Sequence, residues 1–96
     1  MNKHAIKFLR GFSHDLKPVV MIADKGLTEN VMHEINIALE LHELIKIRIR
    51  MDRETRIEFT NEILQKTGAY KIHAIGQVLT IFLANPDDPQ FDLSLA

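Results

Sequence analysis

The sequence predicts one α/β domain: a two-layer structure in the order α-β-α-β-α-β-β, with a four-stranded mixed sheet. Three observations carry this. Hydrophobic periodicity switches repeatedly between the 3.6-residue period of a helix and the two-residue period of a strand. The first three strand-like runs are linked through helices by short connectors, and right-handed crossovers of that kind make them parallel. Gly76-Gln77 separates the last two apolar runs, and a glycine-first pair suits a type II′ hairpin, so the final strand turns back antiparallel.

"NKHAIKFLRGFSH" predicts a first helix, with Ala5, Ile6, Leu9 and Phe12 facing the core. Lys3, Lys7, Arg10 and His14 then line its exposed face. Pro18 stops any continuation, and "PVVMIA" (18–23) is apolar throughout, as expected of a strand buried on both faces. "TENVMHEINIALELHE" predicts a second helix, N-capped by Thr28, with Val31, Ile35, Ala38 and Leu39 inward and Met32 at the edge. In "LIKIRIRM" (44–51), Ile45, Ile47, Ile49 and Met51 alternate with Lys46, Arg48 and Arg50, which places the three basic residues on one sheet face. "DRETRIEFTNEILQKTG" predicts a third helix, capped by Asp52 and closed by Gly68, with Ile57, Thr60, Ile63 and Leu64 inward. "YKIHAI" and "VLTIFLA" are the hairpin strands. The domain is expected to span residues 1–84, and residues 85–96 form an acidic, proline-containing tail, extended or loosely packed.

Ninety-six residues, 46% hydrophobic and 26% charged, suit a single core. No cysteine is present, which excludes a disulfide framework and a thiolate metal site. The N-terminal stretch lacks the apolar run of a signal peptide, and no segment approaches a membrane span, so a cytoplasmic location is expected. Net charge is −1, yet residues 1–56 hold 10 Lys/Arg against 8 Asp/Glu, while residues 57–96 hold 2 against 5. The position of the basic charge therefore matters more than its sum.

Signatures of catalysis are missing. The five histidines offer no pair at helical spacing, Ser13-His14 lacks an orienting third group, and Glu54, Glu58 and Glu62 make a solvated stripe. There is no phosphate-loop or dinucleotide fingerprint. No enzyme activity, metal or cofactor is expected.

The turn "ADKG", Ala23-Asp24-Lys25-Gly26, connects the first strand to the second helix. A glycine, a lysine and a helix N-terminus together suit a phosphate backbone, the logic of the loop by which KH domains clamp RNA. Taken locally, the same residues also make an ordinary connector in which Gly26 supplies a positive φ and Lys25 is simply exposed.

"LKPVV", "GLTE", "HELIKIRI" and "TGAYKIHAIGQVLTIF" in succession resemble the CRM domain (chloroplast RNA splicing and ribosome maturation), in its stand-alone bacterial YhbY-like form, over about residues 3–83. The resemblance implies a sheet of order 1-2-4-3, as in the C-terminal domain of translation initiation factor 3. It implies RNA binding and association with the precursor of the large ribosomal subunit. Its GxxG loop falls on Ala23, Asp24, Lys25 and Gly26, and its basic positions fall on Lys7, Arg10 and Lys17, with Arg48 and Arg50 as further candidates. Ala23 replaces the loop's first glycine, Asp24 adds a negative charge, and Gln77 stands where relatives often carry a basic residue; weaker RNA binding is implied. The expected protein is a monomer that binds ribosomal RNA in ribosomal particles through backbone contacts. The alternative is a module that holds a ribosomal protein or assembly factor without touching RNA.

Overall fold

Each helix starts where a side-chain oxygen accepts a backbone N–H that the helix itself leaves unpaired. Asn2 Oδ1 accepts from the Ala5 N–H at 2.8 Å, Thr28 Oγ1 from Val31 at 3.2 Å, and Asp52 Oδ1 from Thr55 at 3.2 Å. The helices that follow are α1 (Lys3–Ser13), α2 (Glu29–His42) and α3 (Arg53–Thr67). The strands are β1 (Pro18–Ile22), β2 (Leu44–Ile49), β3 (Tyr70–Ile75) and β4 (Val78–Phe82). The computed structural model describes residues 1–95.

The sheet runs β1-β2-β4-β3, with β2 parallel to β1 and β4 antiparallel to both its neighbours. The hairpin turns on Gly76 at φ 55. Among the described residues Glu43 is the one non-glycine residue with positive φ, so Gln77 keeps a negative value, as a type II′ turn requires.

Period two decides which side of the sheet each residue serves. Val20, Ile22, Ile45, Ile47, Ile49, Leu79 and Ile81 pack under α2 and α3, with Ile35, Leu39 and Ile63, in the main core. Leu44 and Phe82 lie on the opposite face, where they meet Leu9 of α1 and Ile72 of β3 in a second cluster. α1 therefore covers one end of the sheet's other face.

Four expectations are corrected, the first of them by this partial cover. β1 is an edge strand with one dry face: Val20 and Ile22 are buried, while Val19 and Met21 are 52% and 53% exposed, because α1 does not reach them. Phe12 is 55% exposed and Phe8 takes the inward position of α1, the two rings meeting edge-on at 5.0 Å. On α3, Ile57 is exposed and Phe59 packs on the core instead. Met32, placed at the edge of α2 by its spacing, is buried, and Val31 is only partly so.

The C-terminal residues are docked, contrary to the loose tail expected. Glu43, 1% exposed, accepts backbone N–H bonds from Asn85, Gln90 and Phe91, the last two at 2.6 and 3.1 Å. The Phe91 ring meets Phe12 at 5.3 Å and Phe82 at 6.2 Å, so the strap closes over the second cluster. Proline and aspartate suggested openness; the carboxylate forty residues upstream supplies the order.

The Asp52 cap carries a pH signature. Its hydrogen bonds with Thr55, side chain first and then backbone, hold the carboxyl below its usual range. A depressed folded-state pKa contributes stability above the unfolded pKa and loses it as pH falls through the folded value. Asp52→Asn keeps a capping oxygen but cannot titrate. Thermal melts from pH 6 to pH 2.5 should therefore show the two proteins close together at low pH and the wild type ahead at pH 6; parallel curves would refute this.

Candidate nucleic-acid interface

Because the isoleucines of β2 fill the α2/α3 side, Lys46 and Arg48 are turned to the side of α1. α1 presents Lys7 and Arg10 toward the same space, joined by His14 just past its C-terminal end. Between them lies an open cleft of about 570 Å³, with Lys46, Thr80, Val78, His73 and Ile75 on its sheet side and Lys7, Arg10, Ser13 and His14 on its helix side. Among the described residues no carboxylate lines it. Among the described residues the sole ion pair is Lys66–Glu62 at 3.1 Å, so no carboxylate lies within 4.0 Å of any basic group of the cleft. Arg48 is paired across the ladder with Val78, which extends the basic surface to the cleft's rim.

The Ala23–Gly26 turn sits at the carboxyl end of β1, where open α/β sheets commonly hold ligands. The Gly26 N–H bonds the Ala23 carbonyl at 2.8 Å, and Gly26 stands at φ +73. Asp24 and Lys25 are exposed. Arg50 lies beside this turn, since its N–H bonds the Ile22 carbonyl at 2.8 Å. The Gln77 carbonyl accepts from Ile49, which brings the hairpin to the same end of the sheet. The turn is electrostatically mixed, for Lys25 stands beside Asp24, and Glu29 occupies the first turn of α2. Lys17 is elsewhere: it precedes β1 at the opposite end, in a hollow with His42 and Phe91.

Of the nine residues expected from sequence, then, the fold brings Lys7 and Arg10 into the cleft and Arg48 to its rim. Arg50 joins Ala23, Asp24, Lys25 and Gly26 at one end, and Lys17 stands apart. Lys46, His14 and His73 complete the cleft. Lys46 was marked by its alternation with Arg48. His73 carried no such signal, because the ladder slips between Lys71 and His73 and period two fails there.

Gly26 is a backbone requirement as well as a loop residue. A Cβ there would adopt a strained positive φ and sit 3.4 Å from Phe59 Cζ. Gly26→Ala should lower stability by about 1–2 kcal/mol, read as a lower urea midpoint with an unchanged slope.

The sheet, its crossovers and a carboxylate-free basic cleft define a small α/β domain with the charge layout of a nucleic-acid binder. A family model for the CRS1/YhbY (CRM) domain matches residues 1–82, and the chain belongs to this RNA-binding family. It is 44% identical over 77 residues to an RNA-binding protein of Haemophilus influenzae, covering 79% of this chain and 78% of that one. A probable RNA-binding protein of Pseudomonas aeruginosa is 33% identical over 81 residues, covering 83% and 78%. The solution structure of a Staphylococcus aureus protein superposes with a TM-score of 0.80 at 22% identity, over 96% of this chain and 98% of that one, and shares the fold. No helix among the described residues is long and apolar enough to cross a membrane.

Proposed function

We propose that this protein binds RNA by its sugar-phosphate backbone and acts, without catalysis, on the ribosomal RNA of the large-subunit precursor in the cytoplasm. The observation that carries the RNA reading is the convergence of Lys7, Arg10, Lys46 and Arg48 on one face with no carboxylate among them. Basic side chains left unpaired on one surface release counterions from a polyanion, and this supplies most of a sequence-independent affinity. The names of the relatives, RNA-binding proteins in two bacteria, support the same reading. The ribosomal assignment rests on resemblance to the stand-alone bacterial members.

The Ala23–Gly26 turn and Arg50 extend the surface at one end of the sheet, where a second stretch of backbone would pass. Asp24 and Glu29 weaken that end, so the cleft makes the larger contribution. The test is sedimentation with ribosomal particles from lysates at low magnesium. Wild type should travel with large-subunit precursors, and Lys7→Glu/Arg10→Glu should remain at the top of the gradient. Co-migration that ignores both the substitution and added salt would place the contact on a protein surface instead, the reading in which a ribosomal protein is held without RNA.

A further inference from the structure

Thr80 is the least expected member of the cleft. It lies at the centre of the sheet, 1% exposed, in a position that period two would give to an apolar residue of the second face. Its hydroxyl takes no part in the side-chain hydrogen bonds among the described residues, whereas the other buried hydroxyl of the cleft, Ser13, donates to the Arg10 carbonyl at 2.8 Å. Among the described residues no fully hidden side-chain polar atom lacks a partner. The Thr80 hydroxyl is therefore reached from the cleft that Thr80 lines. A buried polar group persists where something hydrogen-bonds it.

The neighbours of Thr80 show what that partner is. Lys46 is its direct partner on β2 and His73 its direct partner on β3. Strands stand about 4.8 Å apart, so an ammonium, a hydroxyl and an imidazole form one row across three strands. Lys7 and Arg10 stand over that row from α1. Lysine offers three N–H donors, arginine five, threonine an O–H and a neutral histidine one N–H. With no carboxylate lining the cleft among the described residues, the row matches a compact oxyanion with several acceptor oxygens.

We propose that the floor of the cleft is a discrete phosphate pocket, with Lys46, Thr80 and His73 beneath the anion and Lys7 and Arg10 above it. Its natural occupant is a phosphate group of RNA, either an internal phosphodiester or a terminal phosphomonoester, so the macromolecular source rests on the RNA reading while the pocket itself does not. This differs from a diffuse basic surface in one respect: a neutral, buried hydroxyl contributes, and charge alone would not notice its loss.

The experiment has two arms, each run on wild type, Thr80→Val, Lys46→Gln and, as a control outside the cleft, Lys71→Gln. In the first, inorganic phosphate is titrated against the 15N-labelled full chain at constant ionic strength, with chloride as the reference salt. Saturable shifts centred on Lys46, Thr80 and His73 are expected. Thr80→Val should weaken phosphate about fivefold and Lys46→Gln about tenfold, with Lys71→Gln unchanged. Shifts that match chloride, or that spread evenly over all exposed lysines, would overturn the pocket. So would a Thr80→Val protein, with a native spectrum, that binds phosphate as wild type does.

In the second arm, a 12-nucleotide RNA is titrated with and without a 5′-phosphate. Thr80→Val should weaken the RNA that uses the pocket. Equal loss for both oligonucleotides identifies an internal phosphodiester; loss confined to the phosphorylated one identifies the terminal group. RNA binding untouched by Thr80→Val removes the pocket and leaves the RNA reading standing. Saturable phosphate binding with no RNA binding does the reverse.

Discussion

Glu43→Ala is expected to destabilise the protein by about 3 kcal/mol, the largest loss of any single side-chain truncation outside the apolar core. Three backbone N–H groups, of Asn85, Gln90 and Phe91, converge on this one carboxylate. A hydrogen bond to a charged group is worth about 1.5–3 kcal/mol net. The three do not add fully, because Asn85 and Gln90 are near enough to solvent for water to replace the carboxylate. Phe91 is the anchored end: losing its bond loosens the ring from Phe12 and Phe82 and opens the second cluster. For a domain of this size the melting temperature should fall by about 15 °C.

The backbone at Glu43 makes the prediction sharper. The residue ends α2 at φ 59 and ψ −46, a region that costs a residue bearing a Cβ about 1–3 kcal/mol. Glycine is free of that cost. Glu43→Gly removes the same carboxylate as Glu43→Ala but should recover about 1 kcal/mol, while Glu43→Gln keeps one acceptor oxygen and should lie nearest wild type. The expected order of urea midpoints is wild type, Gln, Gly, Ala. A glycine variant no more stable than the alanine one would show that the strain is not felt. An alanine variant within 1 kcal/mol of wild type would show that the strap is not held here.

What could be seen in the sequence was whatever local period and local capping decide. Thr28, Asp52 and Gly68 mark helix ends through bonds made within three or four residues. "LIKIRI" declares both its buried isoleucines and its basic face, since alternation leaves no other arrangement. The strand directions and the hairpin follow from connection lengths and Gly76, whereas the order 1-2-4-3 was implied only by the resemblance to the CRM domain. Hidden from view were the matters settled across the fold. Leu9 and Ile6 mark α1 as having a buried stripe but do not say which sheet face it covers, and that choice creates the cleft and leaves Val19 and Met21 open. Glu43 looked like any acidic residue at a helix end; its partners lie 42 to 48 residues away. The candidate site divided in the same way. Lys7 and Arg10 were legible as a helical stripe, and Arg48 as part of an alternation. Their convergence with Lys46, Thr80 and His73 depends on strand pairing, and His73 enters only because the β3 ladder slips by one residue.

Charge reversal in the cleft should have the largest functional effect. If about five phosphates are neutralised by Lys7, Arg10, Lys46, Arg48 and one group at the Ala23–Gly26 end, the logarithm of RNA affinity falls with that of salt at a slope of about −3.5, using roughly −0.7 per phosphate for a single strand. Between 50 and 200 mM salt this is a loss of about 100-fold. Arg10→Glu/Lys46→Glu removes two of those contacts and sets two carboxylates against the backbone, so the slope should shrink to about −2 and affinity at 50 mM should fall about 100-fold or more. Both side chains reach the cleft from well-formed elements, and Arg10 is exposed, so folding should survive and can be checked by the melt. Lys17→Glu separates this surface from a general attraction: at the far end of β1 it should cost about twofold, through long-range field alone. Lys25→Glu, at the mixed-charge turn, should fall between the two. The order Arg10/Lys46, Lys25, Lys17 belongs to a backbone held in the cleft and leaving past the turn. An order led by Lys25, with Arg10/Lys46 near wild type, would move the grip to the turn and make the cleft a bystander.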